Sequence, residues 1–306
     1  MTKRISAFGG SSVSAASHTS LMSHPSSPCV HPTGEGAPIA APGVFARLGH
    51  QALAAARATF TNTLDFVVPP SCPICRQLVQ MDGGLCGTCW RQVPWIDGPV
   101  CNRLGLPLAY DLGPGAVSAE ALANPPEFDR MRAVCTHEGV APQLVHALKF
   151  ANQRHLADAL GAMMARAGRA LLGEPDTVLV PVPLHPLRQL QRRYNQSALL
   201  ARAISAITGA PVVHNGVRRI KRTRQQLALS RGDRLRNVRG AFKLTGRGEA
   251  ALADKHVVLI DDVHTTGATL DALTQTLTSQ NVVARPKQVD ALVFSTTVVQ
   301  DGNSTI

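Results

Sequence analysis

The chain has 306 residues, 44% of them hydrophobic and 17% charged, so a soluble globular body with a sizeable core, in one or two domains, is expected. No apolar run reaches the length of a membrane span, and the opening MTKRISAFGG has no long apolar segment of the kind a secretory signal needs. These features set aside integral-membrane and secreted classes and predict a cytoplasmic location, while a net charge of +11 points to polyanionic partners, with pyrophosphate and nucleic acid both open.

Residues 1–43 are rich in Ser, Gly, Pro, Ala and His and predict a disordered tail, in which Cys29 stands alone. Residues 44–68 predict a helix, because Phe45, Leu48, Leu53, Ala56, Phe60 and Leu64 approximate one apolar face. Residues 69–100 form a cysteine module. Cys72 and Cys75 make one CxxC pair, and Cys86 and Cys89 make a second, with ten residues between the pairs. Each pair folds into a tight turn that presents two thiolates, and four thiolates close a tetrahedral zinc site. Such a site has no open position, so the zinc is expected to be structural, supplying folding free energy that so small a module lacks. Trp90 and Trp95 are expected to pack on it. A further knuckle frame begins at Cys101 but carries Leu104 where its second cysteine would stand. Cys101 and Cys135 therefore read as core or free thiols. Residues 101–130 read as a connector, and no internal repeat is evident.

From Met131 the pattern alternates. Strands are predicted at 131–136, 177–182, 211–213, 257–260 and 289–295, and helices at 142–150, 155–172 and 195–208. Strand–helix alternation predicts an α/β domain over 131–296, a parallel sheet flanked by helices, with 297–306 a frayed tail. Ligands of such folds sit beyond the carboxyl ends of the strands. Between His185 and Lys243 the cations accumulate against a single acid, Asp233.

The most informative segment is VVLIDDVHTTGATL, residues 257–270. An apolar strand ends in Asp261 and Asp262, a small hydroxyl-and-glycine loop follows, and Leu270, Leu273 and Leu277 recur at helical spacing. Loop amides and a helix N-terminus hold a phosphate. Paired carboxylates accept hydrogen bonds from vicinal sugar hydroxyls, or face Mg2+ through water. A plain polar turn explains the glycine and one threonine, but not two adjacent acids with three threonines.

This segment resembles the 5-phosphoribosyl-1-pyrophosphate (PRPP) loop of type I phosphoribosyltransferases. The resemblance implies that Asp261 and Asp262 meet the ribose hydroxyls and act in catalysis. It implies that Thr265, Thr266, Gly267, Ala268 and Thr269 hold the 5-phosphate, with Mg2+ accompanying PRPP. His264 fills a variable position and is expected to face solvent. Zinc knuckles ahead of such a domain, with blocks at 139–150, 180–184 continued by 192–197, and 226–242, resemble the ComF family of competence-associated proteins. That likeness implies pyrophosphate and loop contacts from Arg188, Arg192, Arg193, Gln226, Arg234 and Asn237, and Lys149 near the same cleft. Two departures stand out. The additional cysteine pairs many ComF-like chains carry are broken here, and Arg193 stands where many have Gly. Two functions follow from the likeness. One is an enzyme transferring a phosphoribosyl group, a pentosyl transferase acting on an acceptor the residues do not identify. The other is a non-catalytic protein of DNA uptake that binds single-stranded DNA and uses the fold as an anion or PRPP scaffold, alongside other DNA-uptake proteins.

Overall fold

The computed structural model describes residues 69–150, 154–185, 194–221 and 240–298. The expected tail, the helix at 44–68, Arg188, Arg192, Arg193, Gln226, Arg234 and Asn237 lie outside them.

Four parallel strands form the central sheet in the order β1–β6–β5–β2, with β1 at Met131–Thr136, β2 at Thr177–Pro181, β5 at His256–His264 and β6 at Gln288–Thr296. Val212 extends it by one parallel bridge to Leu179, so the expected strand at 211–213 is a single rung. β3 (Val217–Arg219) and β4 (Phe242–Leu244) make a separate antiparallel ribbon. The continuous apolar runs of β2 and β5 reflect burial on both faces, as parallel sheets require. Val257 and Leu259 enter one apolar cluster, while Val258 and Ile260 enter the other. Such alternation follows from the two-residue period of a strand.

One face is covered by three helices, α3 (Ala141–Phe150), α4 (Arg154–Ala167) and α6 (Gln196–Thr208), which bury Leu144, Leu148, Leu160, Leu200 and Ile204. The expected helix at 155–172 breaks at Gly168, after which α5 (Arg169–Leu172) starts afresh. A glycine at 168 also leaves room for Leu292 of β6, whose Cδ2 would lie 2.6 Å from a Cβ there. The other face carries α8 (Ala268–Thr278), with Leu270, Leu273 and Leu277 packed down, and the short α7 (Gly246–Leu252), capped by Thr245.

The cysteine-rich segment is joined to the exposed edge of the sheet. Trp95 bridges Cys135 antiparallel, the Ile96 amide donates to the Val134 carbonyl at 3.0 Å, and the Thr136 amide to Pro94 at 3.0 Å. These bonds satisfy edge groups of β1 that would otherwise invite another strand. Among the described residues no helix is long and apolar enough to cross a membrane.

Candidate functional site

The four thiols Cys72, Cys75, Cys86 and Cys89 converge, with all four Sγ atoms within 4.8 Å of one another and Cys75 and Cys86 at 3.4 Å. A Zn–S bond of about 2.3 Å in a tetrahedron sets neighbouring sulfurs about 3.8 Å apart, so the donor set fits zinc. None of the four is in a disulfide. Two local devices build the site. The turn after Cys72 passes through Arg76 at φ 65°, and Cys86 caps helix α1 (Gly87–Arg91), accepting from the Cys89 amide at 3.4 Å. Burial raises the Cys72 thiol, yet amides of Cys75, Cys86 and Ile74 outweigh it and bring the thiol down to about 6, toward the thiolate a metal needs. The expected tryptophan packing is present: the Trp90 and Trp95 rings lie 4.5 Å apart.

The second site lies where β5 meets α8. β5 does not stop before the acids. It continues to His264 because β6 continues beside it to Thr296. Asp261 accepts from the Ser197 hydroxyl at 3.0 Å and the Asp262 amide at 2.9 Å. Ser197 stands at the first turn of α6, whose cap Asn195 also donates to the Val182 carbonyl at 3.0 Å, tying the helix start to the end of β2. The buried Asp262 pairs with Lys149 Nζ at 3.0 Å. Lys149 lies in the last turn of α3, and the Tyr194 hydroxyl donates to the neighbouring Leu148 carbonyl at 2.7 Å. Burial and the Asp262 charge push the Asp261 carboxyl up to about 7, against the hydrogen bonds and the Lys149 ammonium that favour its charged form.

His264 corrects the expectation of a solvent-facing loop residue. It is buried as the last residue of β5, with Nδ1 3.0 Å from the Thr296 hydroxyl and its ring edge-on to Phe128. The following loop is anchored by Thr297, which donates to the Thr265 carbonyl at 3.0 Å. Gly267 has φ 77°, a left-handed conformation that favours glycine, and it opens α8. The Thr266 hydroxyl is buried with no hydrogen-bond partner. Asp261, Asp262 and the loop 265–269 are thus contiguous at the carboxyl end of β5. Sequence reading did not assign Ser197 as the partner of Asp261, although Ser197 closes the 192–197 block and stands at the start of a predicted helix.

A family model described as a double zinc ribbon domain matches residues 63–121. The chain is 33% identical over 217 residues to the DNA utilization protein YhgH of Salmonella typhimurium, covering 69% of this chain and 91% of that protein. It is 32% identical to competence protein F of Haemophilus influenzae over 63% of this chain and 84% of that protein. It is 23% identical to competence protein ComFC of Bacillus subtilis, covering 63% and 77% respectively. With a parallel α/β sheet behind a four-cysteine cluster, and likeness running along nearly the whole length of these relatives, the chain belongs to the ComF family.

Proposed function

We propose that the carboxyl end of β5 is a Mg-PRPP pocket in a protein that serves DNA uptake or utilisation. The observation that carries the pocket is the contiguity of Asp261, Asp262 and the loop 265–269 at the carboxyl end of β5, where ligands of parallel α/β sheets sit. In this reading the loop and the N-terminus of α8 hold the 5-phosphate, with Gly267 supplying the turn. Asp261 and Asp262 accept from the ribose hydroxyls. Their oxygens also suit Mg2+, which binds through one or two carboxylates together with substrate phosphates. Lys149 balances Asp262 while no ligand is bound. Arg188, Arg192, Arg193, Gln226, Arg234 and Asn237 remain the candidates for pyrophosphate. The DNA role is supported by the names of the relatives, competence protein F and DNA utilization protein.

Calorimetry with Mg-PRPP tests the pocket. Asp262→Asn is expected to weaken binding by about 1.5–3 kcal/mol, the worth of a charged hydrogen bond. Affinity in the unsubstituted protein is expected to rise as pH passes through about 7 and Asp261 ionises. Equal affinity in the Asp261→Asn, Asp262→Asn double variant would overturn the reading.

A second reading, phosphate-driven binding of single-stranded DNA, is favoured by the β3–β4 ribbon. There Arg218 and Lys243 are both exposed and directly opposite each other. Like charges in that position are unfavourable unless an anion joins them. Low aromatic content, 4%, argues against base stacking as the main mode. DNA affinity is expected to fall steeply with salt through counterion release, and Arg218→Glu with Lys243→Glu to flatten that dependence. A flat salt response in the unsubstituted protein would exclude this mode.

A further inference from the structure

Residues 99–123 copy the backbone of the zinc-binding module without its thiols. In the first ribbon Ser71 bridges Leu78, the Cys72 amide donates to Gln77, the Arg76 amide to Cys72, and the Val79 amide to Pro70, at 2.7, 3.0 and 3.0 Å. Further along, Val100 bridges Pro107, the Cys101 amide donates to Leu106, the Gly105 amide to Cys101, and the Leu108 amide to Pro99, at 2.8, 2.8 and 2.9 Å. Every partner is displaced by the same number of residues. The left-handed residue recurs as well, Arg76 at φ 65° and Gly105 at φ 62°.

The second halves also match. Cys86 caps the five-residue helix α1, and its sulfur accepts from the amide three residues on, that of Cys89. Ser118 caps the five-residue helix α2 (Ala119–Ala123), and its hydroxyl accepts from the Ala121 amide. The two caps share φ −69°, with ψ 159° and 154°. The Ser118 amide donates to Cys101 Sγ at 3.2 Å, which joins the halves of the second copy. Leu104 occupies the place of Cys75, and its amide donates to the same sulfur at 3.4 Å.

We propose that residues 99–123 are a second ribbon that has lost its metal, with Cys101, Leu104, Ser118 and Ala121 at the four ligand positions. A hydroxyl and two apolar side chains do not form a zinc donor set. What replaces the ion is burial. Cys101, Leu104 and Ala121 are 0%, 6% and 3% exposed and join the apolar cluster on the α8 face of the sheet. Ser118 retains the capping task that a cysteine performs in the first copy. The first ribbon instead sends Ile74, Leu85 and Trp95 to the opposite cluster. The β1 edge is therefore flanked by a metal-dependent ribbon on one face and a metal-independent one on the other. The span of the double-ribbon family match, which ends at Ala121, agrees with two copies.

Combining Leu104→Cys, Ser118→Cys and Ala121→Cys in the full chain tests the assignment. Bound zinc is expected to rise from about one to about two equivalents per chain, and the thiolate-to-metal absorption of the cobalt-loaded protein to double. A folded triple variant that still holds one equivalent overturns the proposal. Hydrogen exchange on the unsubstituted protein in a chelator gives an independent answer should that variant fail to fold. Protection is expected to vanish at the Cys72, Arg76 and Val79 amides and to persist at those of Cys101, Gly105 and Leu108. Joint loss of both sets would show that the second ribbon needs metal and overturn the proposal.

Discussion

Replacing Cys86 by serine is expected to release zinc and unfold residues 69–92 while the sheet persists. Structural zinc contributes about 10–16 kcal/mol of binding free energy that is also folding free energy in small modules, so this is the largest effect expected in the chain. Cys86 carries two tasks at once, one of four converging sulfurs and the cap of α1. Serine keeps the cap and removes the thiolate, so the loss isolates the metal. Chelation should reproduce it. The chain has two tryptophans, and both lie in or beside this module with rings 4.5 Å apart, so their emission reports its state directly. Cys101→Ser is the control and should retain the zinc, because the Cys101 sulfur is occupied by the amides of Leu104 and Ser118. Full zinc content in Cys86→Ser, or tryptophan emission indifferent to a chelator, would contradict the assignment.

Asp290→Ala is expected to destabilise the domain by about 3–5 kcal/mol, because it strands buried partners. Asp290 is fully buried near the start of β6, at the end of the sheet away from the candidate pocket. Its carboxylate accepts from Arg130 Nη2 at 2.7 Å, Arg130 Nε at 3.1 Å, the Arg130 amide at 3.0 Å and Gln288 Nε2 at 3.1 Å, and lies 2.9 Å from His256 Nε2. His256 Nδ1 is 2.9 Å from the Thr177 hydroxyl, which itself donates to the Glu174 carbonyl. One carboxylate thus ties β1, β2, β5 and β6 together. Burial alone would raise its pKa, but the hydrogen bonds from His256, Arg130 and Gln288 prevail and hold it below the ordinary value. A lowered folded-state pKa means stability present at neutral pH and lost as pH falls below the unfolded value of about 3.9 toward the folded one. Urea unfolding at pH 7 measures the loss. A change under about 1 kcal/mol, within the range of a surface pair, would show that the network is not a stability determinant.

The sequence by itself determined the features whose parts are close along the chain. The two CxxC pairs, the apolar run at 257–260, the acids that follow it and the helical spacing of Leu270, Leu273 and Leu277 are each written within a few residues; the structure gathers the four cysteines and places those leucines on one helix, but carries the strand through the acids to His264. Local chemistry decides such features, because turn, strand and cap depend on immediate neighbours. The Leu104 break in the second knuckle was legible for the same reason, but its other half at Ser118 and Ala121 was not, since neither residue signals a ligand position once the thiol is gone. Only the tertiary structure decided the rest. Parallel strands pair across long connections, so register brings together residues that no local pattern links. That register buries His264 against Thr296 and gathers Arg130 and His256 around Asp290, while the packing of α3 and α6 on the sheet pairs Lys149 with Asp262 and sets Ser197 on Asp261. Each of these contacts joins residues more than thirty positions apart, and each forms because burial leaves a polar group no partner except the one the fold supplies.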